Sequence, residues 1–340
     1  MQIPRSATSS IPDIDTLLSI FWMKVSSDPR DMVYALVGLT TARDNPRLIV
    51  DYSVSVRRVY TDVTKYILVS SQKLDIICWV PRGTNQFRLP SWVPDWTVLP
   101  RFGLPILSIL GNEGVDYCSA GSTKAEFHLK GNDRILAVKG VLLSPIHFVG
   151  LKGTMESEHD FSSGLPIFLN WYKLLNVIQP GKSAEKLEAF CRTVFYDRFS
   201  PKDYTYRTPL ELMERLLAGI VLLAEEFCPE ESIDPYLVSL RKKYVIERWW
   251  AKSWMTGACN TSMHRRFFVT KTDLMGMAAQ TSEPGDLICI LLGCWMPVVL
   301  RPKDGHYIYI GEAYVHGYMY GKAMKELAEG KFQLQDLEIH

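Results

Sequence analysis

Residues 89–96 read Leu-Pro-Ser-Trp-Val-Pro-Asp-Trp. Two prolines and two tryptophans in so short a run exclude an ordinary helix or a central strand. Each proline fixes its own φ, removes a backbone donor and biases the residue before it towards extended geometry. Trp92 and Trp96 each add a large apolar ring and one N–H that needs an acceptor when buried. A rigid extended segment with two such anchors predicts a clasp buried between neighbouring elements. The sharper alternative is an aromatic binding groove in which Trp92, Asp95 and Trp96 meet a ligand. Packing is the commoner use of such a stretch, so the clasp is the expectation.

Working outward, residues 11–25 place Ile14, Leu17, Leu18, Phe21, Trp22 and Val25 on one helical face. Asp28 and Pro29 then signal a second helix start, with Asp31 near its positive end. Asp28, Arg30 and Asp31 are read as a cap and a tie to the next element rather than as a charged site. Residues 53–70 predict a third helix, burying Val59, Tyr60, Val63, Ile67 and Leu68. Residues 81–85 are a loop by composition and 100–110 run irregularly. Past residue 117 the period changes. Residues 125–130 and 134–141 read as strands joined by the turn Gly131-Asn132-Asp133, and 142–150 extend them. Helical patterns occupy 161–177, 184–195, 209–227 and 236–254. Strand signals return at 265–270, 286–292, 296–301 and 307–313, separated by Pro284-Gly285 and Asp304-Gly305 turns.

The predicted fold class is α+β: an N-terminal helical region, then a small antiparallel β-barrel or curled sheet interrupted by a helical insert. The divisions are 1–110 (helical region with the clasp), 111–153 (first part of the β unit), 154–261 (helical insert), 262–322 (second part of the β unit) and 323–340 (a tail, helical with a frayed end). Each part of the β unit alone has too few strands to bury its apolar alternation, so the two are expected to pair in one sheet.

The chain of 340 residues is 47% hydrophobic and 22% charged, as globular chains are. Its 38 basic and 37 acidic residues give a net charge of +1 and no electrostatic case for nucleic acid or an anionic membrane. The apolar run 287–300 is too short to span a bilayer and contains Gly293 and Pro297. Cysteines 78, 118, 191, 228, 259, 289 and 294 form no Cys-x-x-Cys pair, which predicts reduced, mostly buried thiols in a soluble cytoplasmic protein. Any one of them could be reactive; the sequence does not mark which.

Catalytic patterns are sparse. There is no Gly-x-Gly-x-x-Gly, Gly-x-Ser-x-Gly or His-Glu-x-x-His. Gly317-Tyr318-Met319-Tyr320-Gly321-Lys322-Ala323 is one residue short of a phosphate loop, and Ala323 has no hydroxyl for a metal. The best acid–base candidates are His316, Glu312 and Asp286, with Cys289 as a possible companion. The plainer alternative is that Glu312 and His316 satisfy buried backbone at a barrel corner while Asp286 caps a turn. No second ligand is forced near His316, so neither a metal nor a cofactor is expected.

The order of several segments is more specific. Upstream of the clasp lie Ser27-Asp28-Pro29-Arg30-Asp31-Met32-Val33-Tyr34-Ala35-Leu36-Val37-Gly38-Leu39, Val50-Asp51-Tyr52-Ser53 and Leu74-Asp75-Ile76-Ile77. Downstream lie Arg265-Arg266-Phe267-Phe268-Val269-Thr270, Pro284-Gly285-Asp286-Leu287-Ile288-Cys289, Val299-Leu300-Arg301-Pro302 and Gly311-Glu312-Ala313-Tyr314-Val315-His316-Gly317-Tyr318-Met319. In this order the segments, which bracket most of the chain, resemble the fungal heterokaryon-incompatibility (HET domain) proteins in the region that follows the HET domain. Two stretches depart from the family pattern: Gly321-Lys322 stands where Gly-Glu is frequent, and Gly276-Met277-Ala278-Ala279 replaces a more glycine-rich turn.

The resemblance implies a part in fungal nonself recognition and incompatibility cell death. Motifs resembling the HET domain's Tyr-x-Ala-Leu-Ser-Tyr-x-Trp-Gly and Trp-x-Asp-x-x-Cys-Ile-Asn-Gln do not occur here. The expectation is a truncated member, a fragment or a standalone regulatory part that lacks that domain. It would be non-enzymatic and would contact another protein, such as a full-length family member. The alternative is an uncharacterised enzyme with a site around Glu312 and His316.

Overall fold

The protein is described here by a computed structural model covering residues 11–21, 24–46, 48–79, 86–97, 117–178, 183–197 and 209–340. The expected loop at 81–85, the irregular stretch 100–110 and Trp22 lie outside the described residues.

Three helices open the chain: α1 (Ile14–Phe21), α2 (Asp31–Val37) and α3 (Val56–Ser71). The apolar positions turn inward, burying Leu17 and Leu18 of α1, Met32 and Val33 of α2, and Tyr60, Val63 and Leu68 of α3. Asp28 accepts the Arg30 backbone N–H at 2.9 Å. The Arg30 guanidinium reaches on to the carbonyls of Tyr52 and Val54 at 2.5 and 3.0 Å. The Asp28–Arg30 pair thus fastens the start of α2 to the segment leading into α3. Ser55 caps α3 by accepting the Arg58 N–H. Gln72, in the left-handed region, ends it, and a 3₁₀ turn follows at Asp75–Cys78.

The Pro/Trp stretch is a clasp. Trp92 is fully buried and Trp96 nearly so. Trp92 Nε1–H donates to the Arg134 carbonyl at 3.2 Å. Ser91 N–H donates to the His340 carbonyl, and Ser91 Oγ accepts the Tyr309 N–H, both at 2.9 Å. The clasp can reach across strands because its prolines leave backbone groups free of any ladder.

Strands β1 (Phe127–Lys130) and β2 (Ile135–Val149) form the expected hairpin. The remaining strands are β3 (Arg265–Thr270), β4 (Met275–Ala279), β5 (Leu287–Leu291), β6 (Val298–Lys303), β7 (His306–Glu312), β8 (Tyr314–Val315) and β9 (Gln335–Ile339). They make one nine-stranded sheet in the order β5-β6-β7-β9-β2-β3-β4-β8, with β1 also on β2. A further β2–β5 pairing curls the sheet back on itself. The result is a curled sheet rather than a regular barrel. Strand β2 accounts for the curl. Its first part pairs with β9, its middle with β5 and its end with β3, with a register shift at Leu142/Ser144 inside the β5 pairing and another at Ile146/Phe148 inside the β3 pairing. Residues 127–149 and 265–315 therefore share one sheet.

Two strands differ from the sequence expectation. Residues 335–339 are strand β9, not the end of a frayed helix; only Lys322–Ala328 of the tail is helical (α9). The alternation of Leu337 and Ile339 is buried against β2. Strand β4 occupies the Met-Gly-Met-Ala-Ala run, where weak β propensity is overridden by pairing with β3 and β8.

Between the parts of the sheet lies the helical insert: α4 (Phe161–Ile178), α5 (Ala184–Val194), α6 (Pro209–Phe227), α7 (Pro235–Lys243) and α8 (Arg248–Ser262). The single helical pattern at 236–254 breaks into α7 and α8, because Tyr244 is extended and the next two residues, Val245 and Ile246, are β-branched. Pro166 lies inside α4, where it removes the N–H that would bond to Ser162. The Cys228 thiol approaches that carbonyl at 3.5 Å instead.

Both faces of the sheet are covered. On β5, Cys289 and Leu291 join the large apolar cluster shared with the helices, while Ile288 and Ile290 join a second cluster with Val141, Val299 and Ile310. Trp92→Ala removes a ring with no exposure and an indole hydrogen bond. It is expected to lower stability by about 3–5 kcal/mol in a denaturant titration.

Candidate functional site

Of the sequence candidates, Glu312 lies at the seam where sheet, insert and N-terminal helices meet. Glu312 sits at the end of β7. In the β6–β7 ladder Val299 faces Gly311 while Leu300 faces Tyr309, so Ile310 is the extra residue of a β-bulge. Side chains alternate along a strand, and an extra residue inverts that alternation. Without the bulge Glu312 would share a face with Ile308 and Ile310. With it, Glu312 turns to the opposite face, which also carries Tyr309 and Tyr314.

On that face Glu312 forms a salt bridge with Arg265 of β3, and each side chain is about 6% exposed. Arg265 Nη1 also donates to the Glu312 carbonyl at 3.3 Å. Burial opposes the Arg265 charge, but Glu312 and the nearby Tyr196 outweigh it and raise its pKa. Tyr196, just after α5 in the insert, and Tyr309 of β7 are both buried, and the Tyr196 hydroxyl has no hydrogen-bond partner among the described residues. Burial pushes the Tyr309 hydroxyl far up, with Cys78, Glu312 and Cys294 adding to the shift. These side chains form a polar centre drawn from all three parts of the chain.

Beside this centre the 3₁₀ turn docks on the β5–β6 connection. Leu74 N–H donates to the Gly293 carbonyl at 2.9 Å, and Trp295 N–H to Asp75 Oδ1 at 2.7 Å. The Lys73 ammonium lies 4.3 Å from the Trp295 ring centre. Gly293 has φ +73°, and a Cβ there would lie 2.3 Å from the Ala125 nitrogen, so the backbones touch. Burial, against the Trp295 hydrogen bond and Lys73, pushes the Asp75 carboxyl up to about 6.

The other candidates lie apart. Asp286 is buried and held bidentately by Arg301, at 2.7 and 3.0 Å, while accepting the Glu283 N–H at 2.8 Å. It clamps the turn before β5. Cys289 is fully buried, and burial raises its thiol strongly. His316 faces the insert: its main influences are burial, which lowers its pKa, then Asp197, Arg192 and Glu188. Its Nδ1 is buried without a hydrogen-bond partner. Glu312 and His316 thus look toward different neighbours. Asp95 accepts the Thr97 N–H and hydroxyl at 3.0 and 2.6 Å, which closes the clasp. Trp96 borders a groove of about 300 Å³ that Leu18, Phe21, Met32 and Leu36 also line. Among the described residues no cluster of three or more His, Cys, Asp or Glu side chains could hold a metal ion. No described helix is long and apolar enough to cross a membrane.

Arg265 was missed as a functional residue. It stands 47 positions from Glu312, and no local spacing links them. The available clue was an arginine opening an apolar strand, where a charge needs a partner.

Residues 240–334 match the Het-6 β-barrel domain family. Over 347 aligned positions the chain is 21% identical to heterokaryon incompatibility protein 6, OR allele, of Neurospora crassa. The chain is similar to the heterokaryon-incompatibility proteins. The alignment takes in 87% of this chain and 49% of the Neurospora protein, so the chain spans about half the length of that relative. No solved structure matches it. The residues of the heterokaryon-incompatibility barrel match carry β3 to β8 and α9, and so hold both Arg265 and Glu312.

Glu312→Gln takes the Glu312 charge away from the buried Arg265. The expected loss is about 3–5 kcal/mol of stability at pH 7 by denaturant titration, and Arg265→Met combined with Glu312→Leu recovers most of it. Asp75 has the opposite sign of effect. Its folded pKa lies above the usual 3.8, so the stability it contributes is complete below about pH 4 and lost as pH rises through about 6. Asp75→Asn keeps the acceptor oxygen for Trp295 and removes the charge. Its advantage over wild type should grow from pH 4 to pH 7, reaching about 2 kcal/mol after allowance for partial exposure.

Proposed function

We propose that this chain is a non-enzymatic regulatory or interaction region of a heterokaryon-incompatibility protein, acting in fungal nonself recognition and the cell death that follows it. The carrying observation is the state of the carboxylates. Glu312 is locked against Arg265 inside the seam, and Asp286 is locked against Arg301 in a turn. Groups engaged in this way hold segments together and are not free to exchange protons with a substrate. Kinship over 87% of the chain to a protein named for heterokaryon incompatibility supports the biological setting. The partner is another protein, such as a full-length family member, met through the helical insert. There Val245 is 88% exposed and Trp249 70% exposed.

A second reading rests on His316. Its lowered pKa keeps the ring neutral at pH 7, and its Nδ1 is free beside Asp197. A neutral imidazole of this kind is a competent general base.

Induced expression of the 340-residue chain in a fungal host, followed by viability staining, separates the two. The regulatory reading expects no killing by the chain alone, with a full-length relative as positive control. Killing that disappears in His316→Ala would overturn it and favour an enzyme.

A further inference from the structure

Cys78 ends the 3₁₀ turn and Cys294 lies in the β5–β6 connection, 216 positions away. Their sulfurs are 3.6 Å apart, and both residues are buried. The Leu74 N–H bond to the Gly293 carbonyl and the Trp295 N–H bond to the Asp75 carboxylate hold the start of the turn against the residues on either side of Cys294. A disulfide needs the sulfurs at about 2 Å, which calls for rotation about the two Cα–Cβ bonds. Neither cysteine sits in a helix or strand interior, so neither rotation has to break a ladder.

We propose that Cys78 and Cys294 are a dithiol that peroxide converts to a disulfide, fastening the N-terminal helical region to the curled sheet. In the closed seam the reaction is slow. The hydrogen bond to Cys294 and then burial hold the Cys78 thiol well above its usual pKa, and the nucleophile is the thiolate. Access therefore comes through local opening of the 3₁₀ turn, whose outer side carries Lys73 and the half-exposed Trp295. Once the turn lifts, the Cys78 thiolate attacks one peroxide oxygen and the O–O bond breaks. This gives a sulfenic acid and a hydroxide, which takes up the thiol proton to become water. The turn then reseats. The Cys294 sulfur attacks the Cys78 sulfur, the S–O bond breaks, and a second water leaves with the Cys294 proton. Two thiols and one hydrogen peroxide give one disulfide and two waters, the peroxide taking both electrons.

The probe is hydrogen peroxide on the folded chain, followed by alkylation of remaining thiols, digestion without reductant and mass spectrometry. The expected result is one peptide linking Cys78 to Cys294 and a loss of about 2 Da for the two hydrogens. The melting midpoint should rise by about 5 °C, because the bridge closes a long loop in the unfolded chain, and dithiothreitol should reverse the rise. Cys294→Ser should lose the linked peptide and the rise, while Cys118→Ser keeps both. Recovery of Cys78 and Cys294 as alkylated thiols, or a link to any other cysteine, would overturn the proposal. A correct link with an unchanged or lowered midpoint would overturn the fastening role. The wild-type peptide map stands even where a variant fails to fold.

Discussion

The β-bulge at Ile310 is the constraint on which the seam depends. One extra residue in β7 moves Glu312 from the purely apolar face of the sheet to the face shared with the helices. On the first face its charge would lie among Ile288, Ile290 and Val299, with nothing to neutralise it. On the second it meets Arg265, and the two charges sit between segments that are distant in sequence. A buried pair of this kind adds little net stability over an apolar packing of the same volume, yet it is costly to leave half-made. Its effect is therefore selective. It penalises any arrangement that takes the start of β3 away from the end of β7.

The same logic runs through the other polar contacts of the seam. Asp75, Trp295, Leu74 and Gly293 hold the 3₁₀ turn by directed hydrogen bonds. Trp92, Ser91 and Tyr309 hold the clasp in the same way. Apolar burial supplies the bulk of the driving force, but it is non-directional. The hydrogen bonds and the ion pair decide which apolar faces meet.

Much of this was legible in the sequence where the cause is local. Pro90, Pro94 and the two tryptophans of 89–96 announced a buried extended clasp, because proline geometry and indole size do not depend on context. The Gly131-Asn132-Asp133 turn announced its hairpin for the same reason. The insert's helices showed as apolar residues at helical spacing. Legibility failed where pairing decides. Strand β4 has two alanines and a glycine and becomes a strand only between β3 and β8. Strand β9 reads as a polar tail until β2 covers Leu337 and Ile339. For the candidate site, residue type picked out Glu312 and Asp286, but their roles were set by arginines that folding brings to them. The bulge that aims Glu312 leaves no mark on composition or period.

The pairing of β2 with β9 has a consequence for how the protein is made. Leu136 faces Ile339 in that ladder, so about 200 residues must be synthesised between one partner and the other, which takes roughly 10–40 s at ordinary ribosomal rates. Throughout that interval the leading part of β2 has β1 on one edge and nothing on the other, and an open edge recruits strands from other chains. Lys139 on that stretch is already paired with Glu126 of the same hairpin, so charge does little to guard the waiting edge. A chaperone that shields open edges would find its substrate in this hairpin before the rest of the sheet exists.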